Sequence, residues 1–381
     1  MDKSTLMGNF DEVITTRKLG QKFFREFDAT HKTNEKLPGG FHIVHSSGST
    51  GEAQFFLYDD KAWNEMLAGI VRGALWGMTI PEIIKLLAGG IRILYIAAVD
   101  GRYGGVMATC EGVLGLGGKY KTLDINKPLS EWKKTIEEYA PNVVIAYPSA
   151  LKILGELVEN EKVHCTLKRI ITCGEPLSES LRNYIERVFG KKVINFYGAS
   201  ESLALGVESD PRDGMILFDD MNLFECVDGE LLVTCLYNFT QPIIRYRIHD
   251  RMELREAHGK TPFTRAKGQV FRDEDVLWFE NEGGHAEFIH PLAIEGFCVD
   301  GLLDYQFIRE GSQKLIMLAQ TLDKDNQGAI RTKMKELMGK ILREKHLQNI
   351  DFKISFTNEI KPDLSTGKKR LVVTNSRDIA G

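Results

Sequence analysis

Residues 169–201 read RIITCGEPLSESLRNYIERVFGKKVINFYGASE and set one amphipathic segment between two short apolar runs. The runs, RIITC (169–173) and KVINFY (192–197), are rich in β-branched and aromatic residues and are too short for typical helices. The segment SESLRNYIERVFG (178–190) has apolar residues at helical spacing and ends on Gly190, as helices often do. This order predicts two parallel strands joined by a right-handed helical crossover.

The same alternation begins further upstream in the chain. The runs IRILYIAA (91–98) and NVVIAY (142–147) predict two more strands of the same parallel sheet. In open sheets of this kind, ligands bind outside the carboxyl ends of the strands. We therefore expect three loops to lie together at one edge of the sheet: YPSA (147–150), GEPLS (174–178) and YGASE (197–201).

Antiparallel strands are predicted after this sheet, in the segments MILFDD (215–220), NLFECVDGELLVTCL (222–236) and PIIRYRIHDRMEL (242–254). Asp228 and Gly229 supply a hairpin turn within the second segment. From about residue 271 a smaller α+β unit follows, with a helix through 329–346 and a last strand, DFKISFT (351–357). The apolar stripe of that helix is typical of a face that packs on a core.

The expected fold class is therefore α/β, with two domains. Residues 1–270 would form a large N-terminal domain with parallel sheets flanked by helices plus an antiparallel β subdomain. Residues 271–381 would form a small, mobile α+β C-terminal domain.

The composition is that of an ordinary globular protein. With 43% hydrophobic and 27% charged residues and a net charge of −4, nothing indicates a nucleic-acid surface or a polybasic membrane patch. The apolar runs are too short to span a bilayer, and the first residues lack the pattern of a signal peptide. The six cysteines are scattered without CxxC spacing, which is typical of free thiols in a reducing compartment. We expect a cytoplasmic protein that binds neither nucleic acid nor membrane.

The stretch HSSGSTGEAQ (45–54) combines glycines with hydroxyl side chains between two apolar, strand-like runs. It does not match the Walker A pattern GxxxxGK[ST]. Glycines allow close backbone approach to a ligand, and the amides and hydroxyls offer the donors that a polyphosphate needs. Phosphate binding and a purely structural turn both stay open for this loop.

Three further motifs carry polar groups that suit a nucleotide. Glu201 ends FYGASE at the edge of the sheet, where a carboxylate could hold Mg²⁺ on a triphosphate or simply face solvent. Asp250 interrupts the strand pattern of YRIHDRMEL and could bind ribose hydroxyls or serve an ordinary turn. DLSTGKKR (363–370) offers three consecutive cations, which could also be a solvated basic tail.

Taken together and in this order, SSGSTGE, GEPLS, YGASE, YRIHD and STGKKR resemble the motifs of the adenylate-forming superfamily of acyl-CoA synthetases, adenylation domains and luciferases. The forms of the GEP loop, of YGxSE and of YR-x-x-D are most similar to the phenylacetate–CoA ligase branch. That branch includes coenzyme F390 synthetase-like and CapK-like proteins. The resemblance extends from about residue 40 to residue 372.

The resemblance implies an enzyme that joins a carboxylic acid to ATP, with Mg²⁺, to give an acyl-adenylate and pyrophosphate. The acyl group would then pass to a thiol, that of CoA or of the phosphopantetheine of an acyl carrier protein. The domain 1–270 would bind ATP and the acid. The domain 271–381 would be a lid that carries the catalytic lysine and rotates after adenylation.

The resemblance also implies residue roles by motif. The β- and γ-phosphates would be held by the loop Ser46, Ser47, Gly48, Ser49, Thr50 and Gly51. The adenine would lie in a pocket of Gly174, Glu175 and Pro176, with Tyr197 stacked against the base, and Gly198 would also belong to the nucleotide site. Ser200 would approach the α-phosphate, Glu201 would bind Mg²⁺ and Asp250 would hold the ribose. Lys368 would bridge the substrate carboxylate and the α-phosphate, with Lys369 as the alternative.

The sequence departs from the family pattern at several positions. Gln54 stands where a lysine often closes the phosphate loop, and His249 precedes Asp250 where many relatives have Gly or Arg. The hinge reads KGQVFRDED (267–275), and its register is left open.

Alternatives stay open for the carboxylic acid, for the acceptor and for the outcome of the reaction. The acid pocket would be lined by Tyr147, Pro148 and Ala199, which is compatible with an aryl acid. An acyl-protein synthetase is disfavoured because no cysteine follows Cys298. Transfer of AMP to a cofactor hydroxyl, as in F390 synthetase, and a non-catalytic nucleotide-binding protein stay as alternatives. A homodimer also stays open.

Overall fold

The structure of the protein is a computed structural model. It describes residues 1–16, 20–30, 37, 39–45, 54–97, 107–108, 111–112, 115, 117–125, 127, 129–255, 261–267, 277–284, 286–289, 291–294, 297, 299–361 and 370–374. The predicted phosphate loop (46–51), Lys368, Lys369 and hinge residues 268–275 lie outside this described part.

The helices are α1 (Lys3–Gly8), α2 (Phe10–Val13), α3 (Gln21–Thr30), α4 (Asp60–Ala74), α5 (Ile80–Ala88), α6 (Leu129–Tyr139), α7 (Pro148–Glu159), α8 (Glu179–Phe189), α9 (Pro291–Ile294) and α10 (Gln327–Glu344). The strands as far as the middle of the chain are β1 (His42–His45), β2 (Phe55–Tyr58), β3 (Arg92–Ala97), β4 (Lys119–Asp124), β5 (Val143–Ala146), β6 (Arg169–Cys173), β7 (Val193–Ala199), β8 (Ser202–Glu208), β9 (Met215–Leu217) and β10 (Asn222–Val227). The later strands are β11 (Glu230–Cys235), β12 (Tyr246–Arg251), β13 (Glu253–Arg255), β14 (Arg265–Lys267), β15 (Leu277–Glu280), β16 (Ala286–Ile289), β17 (Leu302–Glu310), β18 (Lys314–Thr321), β19 (Asp351–Thr357) and β20 (Val372–Thr374).

The main sheet has nine strands in the order β13-β14-β9-β8-β7-β6-β5-β3-β4. The strands β4, β3, β5, β6 and β7 are parallel neighbours, and from β7 onward the pairings become antiparallel. The four parallel strands that the apolar runs predicted are therefore confirmed, as is the α/β fold class. The sequence analysis did not predict β4, an edge strand with few buried side chains.

The crossover helix α8 has the boundaries that its sequence indicates. At its start the side chain of Ser178 accepts a hydrogen bond from the amide of Leu181, at 3.2 Å. At its end Gly190 takes the left-handed conformation, φ +60°, in which a side chain would be strained. Its apolar face packs with α7 and the parallel strands in one hydrophobic core.

A second, antiparallel sheet of β10, β11 and β12 lies beside the main sheet. Its first hairpin turns at Asp228 and Gly229, both with positive φ, as the Asp-Gly pair predicted. Its buried side chains form a core with those of β8, β9 and α4, so this sheet is anchored beside the edge where β7 turns into β8.

Residues 277–372 contribute the side chains of a third core. It is built on the sheet β19-β18-β17-β20, and α10 packs its buried residues Ile330, Met334, Met338 and Leu342 against it. This segment contacts the rest of the protein through β17, whose Leu303 lies in the core of the parallel sheet. Among the described helices, none combines the length and apolar character that a bilayer crossing requires.

Candidate active site

The carboxyl ends of β5, β6 and β7 bring the predicted loops to one edge of the sheet. Tyr147 is the last residue before α7, and Gly174 follows β6 directly. Gly174 has φ +80°, and a Cβ on it would lie 2.7 Å from Cε1 of the Tyr147 ring. Only glycine therefore allows these two loops to pack so closely.

In the GEP loop, Glu175 caps the start of α7, while Gly174 and Pro176 are exposed. The Glu175 carboxylate accepts a hydrogen bond from the amide of Ser149 at 3.1 Å, at the N-terminus of α7, where a negative charge is favourable. Gly174 and Pro176, on either side of it, are exposed. The loop thus presents Gly174 and Pro176 at the sheet edge, while the Glu175 side chain is turned to the helix.

Tyr197 and Asp250, which come from different sheets, meet in the interior beside this edge. The Tyr197 hydroxyl donates to Oδ2 of Asp250 at 2.7 Å, and both side chains are buried. The bond fixes the orientation of the Asp250 carboxylate. The two residues that the sequence assigns to adenine and ribose are therefore neighbours.

Ser200 and Glu201 form the turn between β7 and β8. The pairing of these strands is irregular between Tyr197 and Ala199, and a side chain on Gly198 would clash with the carbonyl of Leu203. Glycine at this bulge allows the chain to reverse at once. The turn places Glu201, half-buried, at the edge of the sheet.

Two buried tyrosines without a role assigned from the sequence lie near this turn, and one of them contacts its backbone. The Tyr58 hydroxyl lies 3.2 Å from the carbonyl of Ser200 and 3.4 Å from that of Glu201. Burial, and next the negative charge of Glu201, raise the pKa of Tyr246 well above its ordinary value. Tyr246 lies in the YRIHD motif, so the sequence could have indicated it. No motif contains Tyr58, so nothing in the sequence indicated that residue.

Gln54, the residue directly before β2, contacts Tyr246 through its side chain. Its Nε2 lies 3.1 Å from the hydroxyl of Tyr246, and its side chain is buried. In the sequence, Gln54 stands out only as a departure from lysine. The structure places it in hydrogen-bond contact with Tyr246.

Glu201 is a carboxylate at this edge that could hold Mg²⁺ on a nucleotide. Within the described part of the chain there is no group of three or more His, Cys, Asp or Glu side chains that could hold a metal ion alone. Magnesium on a nucleotide commonly takes one or two carboxylates and completes its shell with phosphate oxygens and water. A single carboxylate at an open edge, such as Glu201, fits that pattern.

The predicted acid pocket has two buried members and one partly exposed member. Tyr147 and Pro148 are buried at the start of α7, and Ala199 is half-buried.

Comparison with known proteins bears on the family that the motifs resemble. Residues 103–217, which include the strands β5 to β9, match the AMP-binding enzyme family. Over this segment the chain is similar to the AMP-binding enzymes. This confirms the superfamily that the motifs indicated, and CapK and phenylacetate–CoA ligases are among the curated relatives.

Protein CapK of Staphylococcus aureus is 25% identical over 259 residues, which are 65% of this chain and 56% of the relative. Phenylacetate-coenzyme A ligase of Pseudomonas putida is 24% identical over 253 residues, 61% of this chain and 54% of the relative. The chain thus matches about half the length of these relatives.

The fold is shared with solved structures. A 2-hydroxyisobutyryl-CoA ligase in the postadenylation state, in complex with an acyl-AMP, gives a TM-score of 0.65 at 18% identity, covering 94% of this chain and 79% of that chain. An anthranilate CoA ligase in complex with anthranoyl-AMP gives a TM-score of 0.55 at 15% identity, covering 86% and 65%.

Proposed function

We propose that the protein is an ATP-dependent ligase. It would activate a carboxylic acid as an acyl-adenylate and pass the acyl group to a thiol. The observation that carries this proposal is that Gly174 and Glu201 follow the carboxyl ends of the parallel strands β6 and β7, where Tyr197 of β7 meets Asp250 of β12. The activities of the relatives, phenylacetate–CoA ligase above all, support the reaction type.

The described residues suit a bound nucleotide. The exposed backbone of Gly174 and Pro176 would line the adenine, and the fixed Asp250 carboxylate would accept hydrogen bonds from ribose hydroxyls. Tyr197 would stack on the base, Gly198 would lie beside it, and Ser200 would approach the α-phosphate. Glu201 would hold Mg²⁺, which supplies positive charge to the phosphates when it is bound.

Adenylation forces two anions together, the substrate carboxylate and the α-phosphate, so fixed cations are needed where the charge concentrates. We propose that Lys368 supplies one of them and that Ser46 to Gly51 hold the β- and γ-phosphates. We also propose the division into 1–270 and 271–381, with rotation of the smaller domain admitting the thiol after adenylation. The separate core of residues 277–372 supports this division.

The acid would enter beside Tyr147, Pro148 and Ala199. The apolar lining from the buried Tyr147 ring favours an aryl or other apolar acid. The acceptor thiol would belong to CoA or to the phosphopantetheine of a carrier protein, and both present the same arm. A homodimer is a further proposal, which sedimentation velocity tests.

We also propose that the protein acts in the cytoplasm. Among the described cysteines, Cys165, Cys226 and Cys235 form no disulfide, which supports a reducing compartment.

The function is tested by ATP–pyrophosphate exchange across a panel of carboxylic acids that includes phenylacetate and short aliphatic acids. We expect exchange that depends on one class of acid and on Mg²⁺. AMP transfer to an acceptor hydroxyl without acid-dependent exchange would support the F390 synthetase-like outcome. Nucleotide binding without either reaction would mean a non-catalytic protein.

A matched pair of variants links the exchange to the site. Asp250→Asn removes the charge of the proposed ribose ligand, and we expect a KM for ATP about tenfold higher. Asp228→Asn makes the same chemical change in the hairpin turn of β10 and β11, which tolerates asparagine. It is expected to behave as the wild type.

A further inference from the structure

Gly301, Leu302 and Leu303 form a turn that lies between two hydrophobic cores. Leu302 is buried in the core of the C-terminal segment 277–372, whereas Leu303, the next residue, is buried in the core of the parallel sheet. Gly301 has φ +77°, a conformation that favours glycine. Its carbonyl accepts a hydrogen bond from the amide of Leu322 at 2.8 Å, so the turn is fixed within the C-terminal segment.

Two charged side chains of α7 bind the backbone of this turn. The Glu156 carboxylate accepts a hydrogen bond from the amide of Gly301 at 2.9 Å, and the Lys152 ammonium donates to the carbonyl of Leu302 at 3.3 Å. Lys152 and Glu156 also form an ion pair with each other, and both side chains are buried. Hydrogen bonds to charged groups are stronger than those between neutral groups, so these two contacts hold the turn on α7.

The helices α7 and α8 form a rigid base for the ion pair. Gly155 leaves space for the Tyr184 ring, because a Cβ on this residue would lie 2.7 Å from Cε1 of the ring. The Lys152 Nζ lies 4.3 Å from the centroid of the same ring, and the Tyr184 hydroxyl lies 3.3 Å from Oε1 of Glu156. Both charges therefore have partners on α7 and α8 that do not depend on the turn.

The hydration of the two charges makes the contact with the turn reversible. Both members of the ion pair lie on α7, so the pair persists when the turn moves away. Burial of an ion pair costs hydration free energy, which is recovered when water reaches the charges again. Water can also replace the two backbone partners, so opening leaves none of these polar groups buried without a hydrogen bond. A contact made of apolar side chains alone would lack this compensation.

We propose that Lys152 and Glu156 form a latch, which holds the C-terminal segment on α7 in the orientation seen here and releases it without unfolding of either core. This inference rests on the proposed function, in which the smaller domain rotates between adenylation and thiol transfer. The latch would be closed in one of these two steps and open in the other. It gives α7 a part in the reaction cycle that no motif assigned to it.

The test is native-state hydrogen exchange of the protein alone at increasing urea concentrations below the unfolding transition. Mass spectrometry with electron-transfer fragmentation resolves the amide of Gly301. We expect this amide to exchange through a local opening, with a weaker urea dependence than the amides of β18, because the opening exposes little surface. In Glu156→Gln the Lys152 ammonium loses its counter-charge, and we expect the Gly301 amide to exchange about tenfold faster.

Glu159→Gln is the matched control for the same chemical change on the same helix. Glu159 pairs with Arg187 at the surface, so the Gly301 amide should keep its wild-type exchange rate in this variant. If Glu156→Gln fails to fold, Tyr184→Phe takes its place. It removes only the hydroxyl that contacts Glu156, and we expect the Gly301 amide to exchange about threefold faster.

Two results would overturn the latch. One is a urea dependence at Gly301 equal to that of the β18 amides, because the contact would then open only when the whole protein unfolds. The other is an equal exchange rate of this amide in Glu156→Gln and Glu159→Gln.

The experiment needs neither ATP nor a carboxylic acid, so its outcome is separate from that of the ligase test. If the latch fails but ATP–pyrophosphate exchange depends on an acid, the proposed ligase stands without it. If Gly301 opens locally but no acid supports ATP–pyrophosphate exchange, the reversible contact on α7 stands and its role in the ligase cycle is refuted.

Discussion

Removal of the Glu156 carboxylate should destabilise the fold far more than removal of an exposed carboxylate. Glu156 lies in α7 and is 1% exposed, and Lys152, one turn earlier, is 6% exposed. The two form an ion pair. The carboxylate also accepts from the amide of Gly301 at 2.9 Å and from the hydroxyl of Tyr184 at 3.3 Å. Lys152 in turn donates to the carbonyl of Leu302 at 3.3 Å, so the pair ties α7 to the start of β17.

The magnitude follows from what Glu156→Ala leaves behind. The Lys152 ammonium would stay buried over the ring of Tyr184, with its Nζ 4.3 Å from the ring centroid and without a counter-charge. Breaking a buried pair in this way costs about 3–5 kcal/mol. The amide of Gly301 would lose its partner as well, which by itself costs about 1–3 kcal/mol. We expect a loss of about 4 kcal/mol in the free energy of unfolding.

The assay is urea unfolding followed by tryptophan fluorescence and far-UV circular dichroism, where coincident curves establish one transition. Glu344→Ala is the control, because Glu344 pairs with Lys340 on the exposed side of α10. That change should cost less than about 0.5 kcal/mol. The double variant Lys152→Met/Glu156→Met removes both charges and should recover more than half of the loss, since the buried ammonium is gone.

Equal losses for Glu156→Ala and Glu344→Ala would refute this reasoning. So would a double variant that is as unstable as the sum of its two single changes, because the two charges would then act independently.

Three other changes have defined outcomes. Gly174→Ala puts a side chain at φ +80° and 2.7 Å from the Tyr147 ring, so it should cost about 2 kcal/mol in urea unfolding and weaken ATP binding. Burial raises the pKa of Cys165 to about 11, so at pH 8 about one thousandth is thiolate. Iodoacetamide should therefore label Cys165 more slowly than the exposed Cys226, at a rate that rises until pH 11, as followed by peptide mass spectrometry. Lys368→Ala should lower ATP–pyrophosphate exchange about a hundredfold while ATP binding, measured by calorimetry, persists.

Each of these changes has its control. Gly190→Ala also meets a positive φ, but nothing lies within 4 Å of the added Cβ, so ATP binding should be unchanged. Fast labelling of Cys165 at pH 8 would contradict its burial. Lys369→Ala should keep most of the exchange, and a larger loss there than in Lys368→Ala would move the catalytic role to Lys369.

Much of the fold is predictable because its periodicity is local. The segment 178–190 carries helical spacing with Ser at one end and Gly at the other, and α8 occupies Glu179–Phe189. The predicted strand DFKISFT has the bounds Asp351–Thr357 in the structure. The strand β4 was missed because only Leu123 of its residues is fully buried, so an edge position leaves no apolar run to recognise.

The site is only partly predictable, for a different reason. Motifs mark residues that lie close together along the chain, such as Tyr197 and Glu201. The turn of Ser200 and Glu201 is contacted by Tyr58, 142 and 143 positions earlier, and the buried contact beside it joins Gln54 and Tyr246, which are 192 positions apart. No spacing rule joins such residues, since the sheets bring them together only in the folded chain.

The most direct measurement is rapid chemical quench of the protein with ATP, Mg²⁺ and a carboxylic acid, without any thiol, followed by mass spectrometry of the small molecules. We predict an acyl-adenylate of the added acid together with pyrophosphate, both lost in Lys368→Ala. Formation of ADP and phosphate, or of AMP and pyrophosphate without any acyl-adenylate when each acid of the panel is supplied, would contradict the proposed ligase.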